Sequence, residues 1–255
     1  MLTGLEGLLI LGGAVAGFVN TVAGGGSALT LPLLMLTGLD ASQANATNRI
    51  GVVFQSLSGA ATFHRKGLRP WREVGIALPA SLAGSALGTL AATWVPAATL
   101  ERLFGVVFLL LAVTMVARPR WLAPTPRPDG RGRPPGVGGH VAFFAVGFYG
   151  GMFQAGVGIP LLLVAVGIFG VDLVRGTAIK VGLVLAYTLV SLGIFIWLTD
   201  LAWRSGLILA VGSALGSAVG ARVALKAGAT FIRVMVALAL LVAAARTLGI
   251  TALFR

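Results

Sequence analysis

The chain of 255 residues is 57% hydrophobic and only 10% charged, and its mean hydropathy is +0.98. Apolar runs of about 20 residues recur throughout, which indicates a polytopic membrane protein and leaves no room for a separate soluble domain. The net charge of +12 does not indicate a nucleic-acid-binding protein, because the basic residues cluster in short connections between apolar runs, as the positive-inside rule predicts. The absence of cysteine excludes disulfides, thiolate metal sites and cysteine nucleophiles.

The first half of the chain divides into five apolar segments that are predicted to be helical, at residues 2–22, 27–37, 44–63, 73–94 and 97–117. The amino terminus carries Glu6 but no basic region, so we expect it to belong to the mature protein rather than to a cleaved signal. The second segment would form about 17 Å of helix against about 30 Å of hydrocarbon, so it cannot cross alone. The stretch AGGGSALTLP holds three successive glycines, which weaken a helix interior by about 1 kcal/mol each, and it predicts a break.

A segment rich in Pro, Gly and Arg follows at residues 118–139; it cannot bury a core, so we interpret it as a cytoplasmic linker. The second half again divides into five apolar segments, at residues 141–154, 159–169, 172–197, 202–225 and 230–248. The predicted organisation is therefore a first transmembrane repeat at 1–117, the linker, and a second transmembrane repeat at 140–255.

The two halves are related by an internal repeat at a separation of about 130 residues. Four pairs of matching motifs occur in the same order, so each half is expected to fold in the same way. The pairs are GFVNTVAGGG at Gly17 with GFYGGMFQAGVG at Gly147, NRIG at Asn48 with IKVG at Ile179, GSALG at Gly84 and at Gly212, and ATLERL at Ala98 with ATFIRV at Ala229.

Basic residues predict the orientation of each half. The loop 64–72, the linker and the segment around residues 222–233 are basic and are predicted to be cytoplasmic, whereas the connections near Asp40, Pro96 and Asp200 are not. The loops 64–72 and 199–204 correspond by the repeat but differ in charge, so we expect them on opposite sides of the membrane. The halves must then be inverted, which requires an odd number of crossings per half.

Three full spans plus a short hairpin satisfy that requirement. The predicted fold is an all-α integral membrane protein of two inverted structural repeats, each a broken or re-entrant helical hairpin plus three transmembrane helices. The segment 2–22 is long enough to span fully, which is the alternative to re-entrance. Four spans per half would make the repeats parallel and would contradict the charge bias.

The two hairpin tips, AGGGSALTLP and QAGVGIP, are expected to meet near the membrane midplane, where unpaired backbone is tolerated only inside protein or in a wet cavity. The short helices that follow would point their amino termini, which attract anions, into that cavity. Glycine lets the backbone approach a ligand closely. The sequence therefore predicts an anion site at the tips.

Arg49 and Lys180 are predicted at equivalent positions inside the third segment of each half, and a charge in a membrane span is a functional candidate. Each lies about 8–12 Å into its helix, so snorkelling to the interface is the alternative. Together with the polar residues predicted near them, the two cations could replace the water shell of an anion. The predicted substrate-binding residues are Gly24, Gly25, Gly26, Ser27, Thr47, Asn48, Arg49, Gln55, Gln154, Gly156, Gly158, Thr177 and Lys180.

Other features predict packing rather than a site. Gly84 and Gly88, and likewise the glycines at 212, 216 and 220, are spaced four residues apart and are expected to let helices pack closely. His64 and His140 have no third ligand nearby, so no metal site is expected.

Motifs of enzymes are missing from the sequence. It holds no phosphate-binding loop, nucleophile elbow or zinc-protease motif, so we expect neither an enzyme nor a cofactor. Inverted repeats with broken helices favour a transporter that works by alternating access. A passive anion channel and an intramembrane enzyme acting on a lipid or a sulfur compound are the alternatives.

The stretch GFVNTVAGGGSALTLPLLMLTGLDASQANATNRIGVVFQSLSGAATFHRKG closely resembles the first half of the sulfite exporter TauE/SafE family of membrane permeases. The resemblance rests on the glycine-rich hairpin, the Ala-x-x-Thr-Asn-[Arg/Lys] segment, and a phenylalanine with small polar residues before a basic loop. It points to Gly24–Gly26, Thr47, Asn48 and Arg49. The second half resembles the degenerate second repeat of the family, and its looser QAGVG and GTAIKVG depart from the pattern around Lys180.

This resemblance implies export of small sulfur-containing anions, such as sulfite, sulfoacetate or other organosulfonates, across the bacterial inner membrane. The expected partners are such an anion and the lipid bilayer, and no nucleic acid. Association into a homodimer is left open.

Overall fold

A computed structural model describes residues 4–96, 98, 99, 103 and 135–247, and the regular elements within them are all α-helices. The predicted segment 97–117 and most of the predicted linker lie outside the described residues. The helices of the first half are α1 (Gly4–Val22), α2 (Ser27–Met35), α3 (Ala41–Arg65) and α4 (Trp71–Trp94). Those of the second half are α5 (Val137–Met152), α6 (Gly158–Phe169), α7 (Leu173–Leu198) and α8 (Trp203–Thr247).

Local signals explain where the longer helices begin and break. The Asp40 carboxylate caps α3 by accepting from the Gln43 backbone N–H at 2.8 Å, and Asp172 caps α7 in the same way. Within α8, Gly228 leaves the helical conformation with φ +74°. This break falls between the predicted segments 202–225 and 230–248, and α5 begins at Val137, slightly inside the predicted linker.

The first two helices form an antiparallel hairpin. A Cβ at Gly12 would lie 2.2 Å from the Leu33 side chain, and one at Gly26 would lie 2.0 Å from the Ala16 carbonyl oxygen. The short α2, about 14 Å long by helical rise, therefore runs back along α1. In the second half Gly139 near the start of α5 faces Ile168 near the end of α6, so α5 and α6 form the corresponding hairpin.

Six of the helices form two parallel sets. Helices α1, α3 and α8 run in one direction, and α4, α5 and α7 run in one direction, because residue numbers rise together along each contacting pair. The pairs are Thr47–Ala202 and Ser58–Ala214 for α3 with α8, Gly13–Leu209 and Thr21–Ser217 for α1 with α8, Glu73–Arg175 and Ser85–Ser191 for α4 with α7, and Gly84–Phe144 and Gly88–Phe148 for α4 with α5.

The third helix of the first half and its counterpart in the second half run antiparallel. The guanidinium of Arg49 on α3 lies 5.4 Å from the centre of the Phe195 ring on α7. Further along α3, a Cβ at Gly59 would lie 3.3 Å from the Val181 side chain, which is earlier in α7. Residue numbers therefore rise along α3 as they fall along α7. This geometry supports the predicted inversion of the two halves.

The first helix of each half packs against the fourth helix of the other half, through glycine. A Cβ at Gly84 of α4 would lie 2.1 Å from the Phe144 carbonyl oxygen of α5, and one at Gly216 of α8 would lie 1.9 Å from the Ala14 carbonyl oxygen of α1. Contacts of the same kind are made by Gly88, Gly212 and Gly220. The predicted packing role of these glycines is confirmed.

These contacts also correct the register of the repeat in its fourth helix. The sequence match pairs GSALG at Gly84 with GSALG at Gly212. In the structure Gly84 faces Phe144 and Gly216 faces Ala14, and Phe144 and Ala14 are themselves paired by the alignment of the first helices. Gly84 therefore corresponds to Gly216, and the alignment was wrong by one helical turn. Small residues recur every four positions here, so a shift of one turn matches almost as well.

Four described helices are long and apolar enough to cross a membrane, namely α1, α4, α7 and the Trp203–Ile232 part of α8. Helix α3 has 25 residues but carries many polar side chains, which lie in the interior of the bundle. Trp94 and Trp197 are exposed at the same end of the bundle, 81% and 87% respectively, as tryptophan is at a membrane interface. The chain is a helical membrane protein.

Candidate functional site

The tips of the two hairpins touch, backbone against backbone. A Cβ at Gly24 would lie 2.3 Å from the carbonyl carbon of Gly158, and one at Gly158 would lie 2.4 Å from the Cα of Gly24. Gly24 also has φ +91°, which residues with a Cβ rarely adopt. The contact between the tips therefore explains why both positions are glycine. The approach of these glycines to a ligand stays a prediction.

Arg49 is completely buried, and its guanidinium binds the carboxyl end of α5. Nη1 donates to the Gly150 carbonyl at 2.7 Å and to the side-chain oxygen of Gln154, while Nη2 donates to the Gly151 carbonyl at 2.6 Å. The last carbonyls of a helix lack intrahelical partners and form the negative end of its dipole. A cation is therefore favoured at this position, and Arg49 does not snorkel to an interface.

Lys180 makes the corresponding contact with the carboxyl end of α1. Its Nζ donates to the Asn20 carbonyl at 3.0 Å and to the Thr21 carbonyl at 2.8 Å, and the residue is 1% exposed. A cavity beside Lys180 is also lined by Gln55 and by Gly158, the first residue of α6. This cavity offers about 10 Å³ to the centre of a water molecule, which is room for about one water. The protein is closed around Lys180.

The two cations hold matching carbonyls. When the first helices of the halves are aligned at Gly17 and Gly147, the two carbonyls that Lys180 binds fall on the two that Arg49 binds. Counted from the aspartate caps of α3 and α7, Arg49 is the ninth residue and Lys180 the eighth, so their positions differ by one residue. Each cation nevertheless joins the third helix of its own half to the first helix of the other half.

Neither cation has a carboxylate partner in the part of the chain that the structure describes. The ion pairs found there join Arg175 to Glu73 at 2.8 Å and Arg204 to Glu6 at 2.7 Å, and both lie at helix ends. Among the described residues, the charges of Arg49 and Lys180 are therefore offset by neutral dipoles and by the Phe195 ring that faces Arg49.

Three buried donors close to Arg49 in sequence or in space have no hydrogen-bond partner among the described residues: Arg49 Nε, Asn48 Nδ2 and the Tyr187 hydroxyl. Tyr187 lies close to the Arg49 guanidinium, because a Cβ at Gly150, whose carbonyl Arg49 binds, would lie 3.0 Å from the Tyr187 hydroxyl oxygen. A buried donor left unpaired costs about 1–3 kcal/mol. An oxyanion, which has only acceptor atoms, would satisfy such donors.

The other predicted residues divide between the tips and the helices behind them. The Asn48 side-chain oxygen accepts from Thr30 at 2.6 Å, which joins α3 to α2. The Thr47 hydroxyl accepts from the backbone N–H of Ala202, just before α8, at 3.1 Å, and Thr177 donates to a carbonyl of its own helix at 2.7 Å. Neither hydroxyl contacts Arg49 or Lys180 in these hydrogen bonds. The buried tip residues also include Gly26, Ser27 and Gly156, and Gly25 is half-buried there.

Sequence reasoning missed a set of hydroxyl groups that link the two halves beside the cations. Thr89 donates to Ser191 at 2.8 Å and to the Gly151 carbonyl at 3.2 Å, which the guanidinium also holds. On the other side Thr21 is bonded to Ser217 at 2.7 Å. The signal was present in α4, where serine or threonine recurs every four residues from 81 to 89 among glycines.

Helices broken in the interior of a bundle, with a buried cation at each break, define a membrane transporter rather than a receptor or a soluble enzyme. The model of the sulfite exporter TauE/SafE family matches residues 9–247, and the chain belongs to this family.

Curated relatives support the same class. The chain is 30% identical over 236 residues to a probable membrane transporter protein of Haemophilus influenzae, which covers 91% of this chain and 90% of the relative. It is 28% identical to proteins of the same description from Sinorhizobium, with 96% and 93% covered, and from Escherichia coli, with 96% and 90% covered. The family and these relatives are named as transporters, not as enzymes. No solved structure matches the chain significantly.

Proposed function

We propose that this protein is a secondary transporter that exports small sulfur-containing anions, such as sulfite, sulfoacetate or another organosulfonate, across the bacterial inner membrane by alternating access. Family membership supports the class of substrate. The observation that carries the proposal is the pair of fully buried cations, Arg49 and Lys180, that have no carboxylate partner in the described residues.

A buried ion costs several kcal/mol in lost hydration, and helix-end carbonyls offset only part of this cost. A bound anion would offset more, through charge-assisted hydrogen bonds. Sulfite and sulfonate groups present three acceptor oxygens, and Arg49 Nε, Asn48 Nδ2 and the Tyr187 hydroxyl are donors without a partner in the described part of the chain. The substrate anion therefore fits the vicinity of Arg49 in charge and in hydrogen-bonding capacity.

The same contacts supply a reason for coupling between binding and movement. Arg49 and Lys180 each hold carbonyls of the opposite half, so an anion that binds a cation competes with those carbonyls and loosens the link between the halves. The anion then has different affinities for the linked and the released conformation, which is what shifts a conformational equilibrium. A passive channel would instead need an open path, and the cavity beside Lys180 has room for about one water.

Counterflow in proteoliposomes tests this proposal. Vesicles loaded with excess unlabelled sulfoacetate or sulfite should transiently accumulate labelled anion above its external concentration, whereas a channel gives no such overshoot. Arg49→Gln and Lys180→Gln should abolish the overshoot, and Arg69→Gln, in an exposed loop, should keep it. Absence of counterflow with every sulfur anion, or full activity in both variants of the buried cations, would overturn the proposal.

A further inference from the structure

A second group of cations lines a groove at the basic end of the bundle. Lys66, Arg222 and Lys226 surround a groove of about 500 Å³ together with Leu225. Lys66 is the residue that ends α3, and the other three lie on the parallel neighbour α8. All three cations are exposed, and the ion pairs of the described residues involve none of them. A concave surface with charges of one sign concentrates small ions of the opposite sign.

One apolar cluster lies between the groove and the Lys180 cavity. Leu225 lines the groove and packs against this cluster, while Val181 belongs to the cluster and lines the cavity. Val22 and Phe63 are further members, and both are at most 1% exposed. Groove, apolar cluster and Lys180 cavity therefore follow one another from the surface towards the hairpin tips. The apolar cluster separates the two basic regions in this closed conformation.

We propose that the groove is a second anion-binding site, which collects a small sulfur oxyanion from the cytoplasm before the anion passes the apolar cluster to Lys180. Arg222 offers a planar pair of donors and the two lysines offer compact charges, which suits a sulfonate or sulfite group. Leu225 supplies an apolar wall for the carbon chain of an organosulfonate. The direction of passage and the class of anion rest on the proposed function.

A phospholipid headgroup carries similar oxyanion chemistry. The Lys180 cavity lies behind the apolar cluster on which Leu225 of the groove packs and to which Val181 of the cavity belongs, and this arrangement favours a free anion that moves inwards. The experiment therefore needs one arm for free anions and one arm for lipid.

The lysines of this chain report on both sites separately. The sequence contains three, of which Lys66 and Lys226 line the groove and Lys180 lines the inner cavity. Protein labelled with ¹³C at lysine Cε, in phosphatidylcholine nanodiscs, is titrated with methanesulfonate and with sulfate at constant ionic strength. The Lys66 and Lys226 signals should shift together and saturate. A response of these two signals without a response of Lys180 would support binding in the groove and contradict the onward passage of the anion to Lys180.

Transport kinetics provide an independent test of the groove. The triple variant Lys66→Gln, Arg222→Gln, Lys226→Gln should raise the KM for sulfoacetate presented on the groove side by about five-fold or more, with kcat nearly unchanged. The matched control, Arg65→Gln with Arg69→Gln and Arg72→Gln, removes three exposed charges that do not line the groove and should change KM less than about two-fold.

Three results would overturn the groove proposal. One is an equal rise of KM in the control, which would reduce the effect to general surface charge. Another is a lysine shift that never saturates. The third is a shift of Lys66 and Lys226 on adding phosphatidylglycerol to the nanodiscs that methanesulfonate cannot reverse, because the groove would then hold a lipid phosphate.

Discussion

Gly24 of the first hairpin and Gly158 of the second lie so close that neither can carry a side chain, since a Cβ on either would come within 2.5 Å of the other's backbone. The two halves of the chain thus meet at their tips through backbone alone. Any relative movement of the halves changes this contact, so it is a sensitive place to perturb the protein.

Gly38 provides a matched control for the tip contact. Both Gly24 and Gly38 have φ +91°, but a Cβ at Gly38 would meet nothing within 4 Å. Alanine at either position carries a conformational cost of about 1–2 kcal/mol, and at Gly24 it adds about 1–3 kcal/mol of overpacking. Gly24→Ala should therefore lower the thermal unfolding temperature in detergent clearly more than Gly38→Ala does. Equal losses would mean that the tips are not in contact.

Gln154 is an unusual residue because it has φ +58° and yet is not glycine. Its side chain binds the Arg49 guanidinium, which gives a reason to keep it there. Gln154→Ala removes the side chain and retains the strained backbone, whereas Gln154→Gly removes both. We expect Gln154→Gly to be more stable than Gln154→Ala by about 1 kcal/mol, and both to bind the sulfur anion more weakly than the parent protein. Equal stability of the two variants in denaturation experiments would exclude backbone strain.

Helix α4 contains its own control for close packing. A Cβ at Gly84 would lie 2.1 Å from the Phe144 carbonyl oxygen, whereas one at Gly75 would meet nothing within 4 Å. Gly75→Ala should be neutral or stabilising by up to about 1 kcal/mol through helix propensity. Gly84→Ala should destabilise, since α5 must move away from α4. The unfolding temperatures of the two variants check this, and a stable Gly84→Ala would contradict the packing of α4 on α5.

The predicted inversion of the two halves determines which loops should face the same side of the membrane. Arg69, Asp200 and Asp40 are all exposed in connections between helices, and the chain has no native cysteine. Single cysteines at Asp200 and Asp40 should react with an impermeant maleimide in intact cells, and one at Arg69 should react only after lysis. Labelling of both Arg69→Cys and Asp200→Cys from outside, or of neither, would exclude the inversion. An unlabelled Asp40→Cys beside a labelled Asp200→Cys would exclude the return of α2 to the side where α1 begins.

The hairpins could be predicted because the length of an apolar segment can be read from the sequence, and a segment shorter than the hydrocarbon thickness cannot cross the membrane. A helix as short as α2 cannot span, and the glycines before it mark the turn. Arg49 and Lys180 could be found for a similar reason, because a cation within an apolar run is conspicuous. Their burial agrees with a role inside the protein and disagrees with snorkelling.

The partners of the two cations could not be predicted in the same way. Arg49 binds carbonyls more than 100 positions away, and a carbonyl has no sequence signature. The register of the fourth helices was also ambiguous, because small residues recur every turn and the packing of Gly84 on Phe144 decides between two alignments. Both details depend on which helix of one half meets which helix of the other.

The packing of α1, from the first half, on α8, from the second half, has a consequence for the biosynthesis of the protein. Thr21 and Ser217 are hydrogen-bonded but 196 residues apart, so at about 5–20 residues per second the ribosome needs about 10–40 s to supply the partner of α1. During this interval the glycine face of α1 and the carbonyls awaiting Lys180 can be covered only by lipid or by the insertion machinery. We therefore expect nascent chains that stop before α8 to be recognised as incomplete by membrane proteases, and the two halves, expressed as separate chains, to accumulate only together.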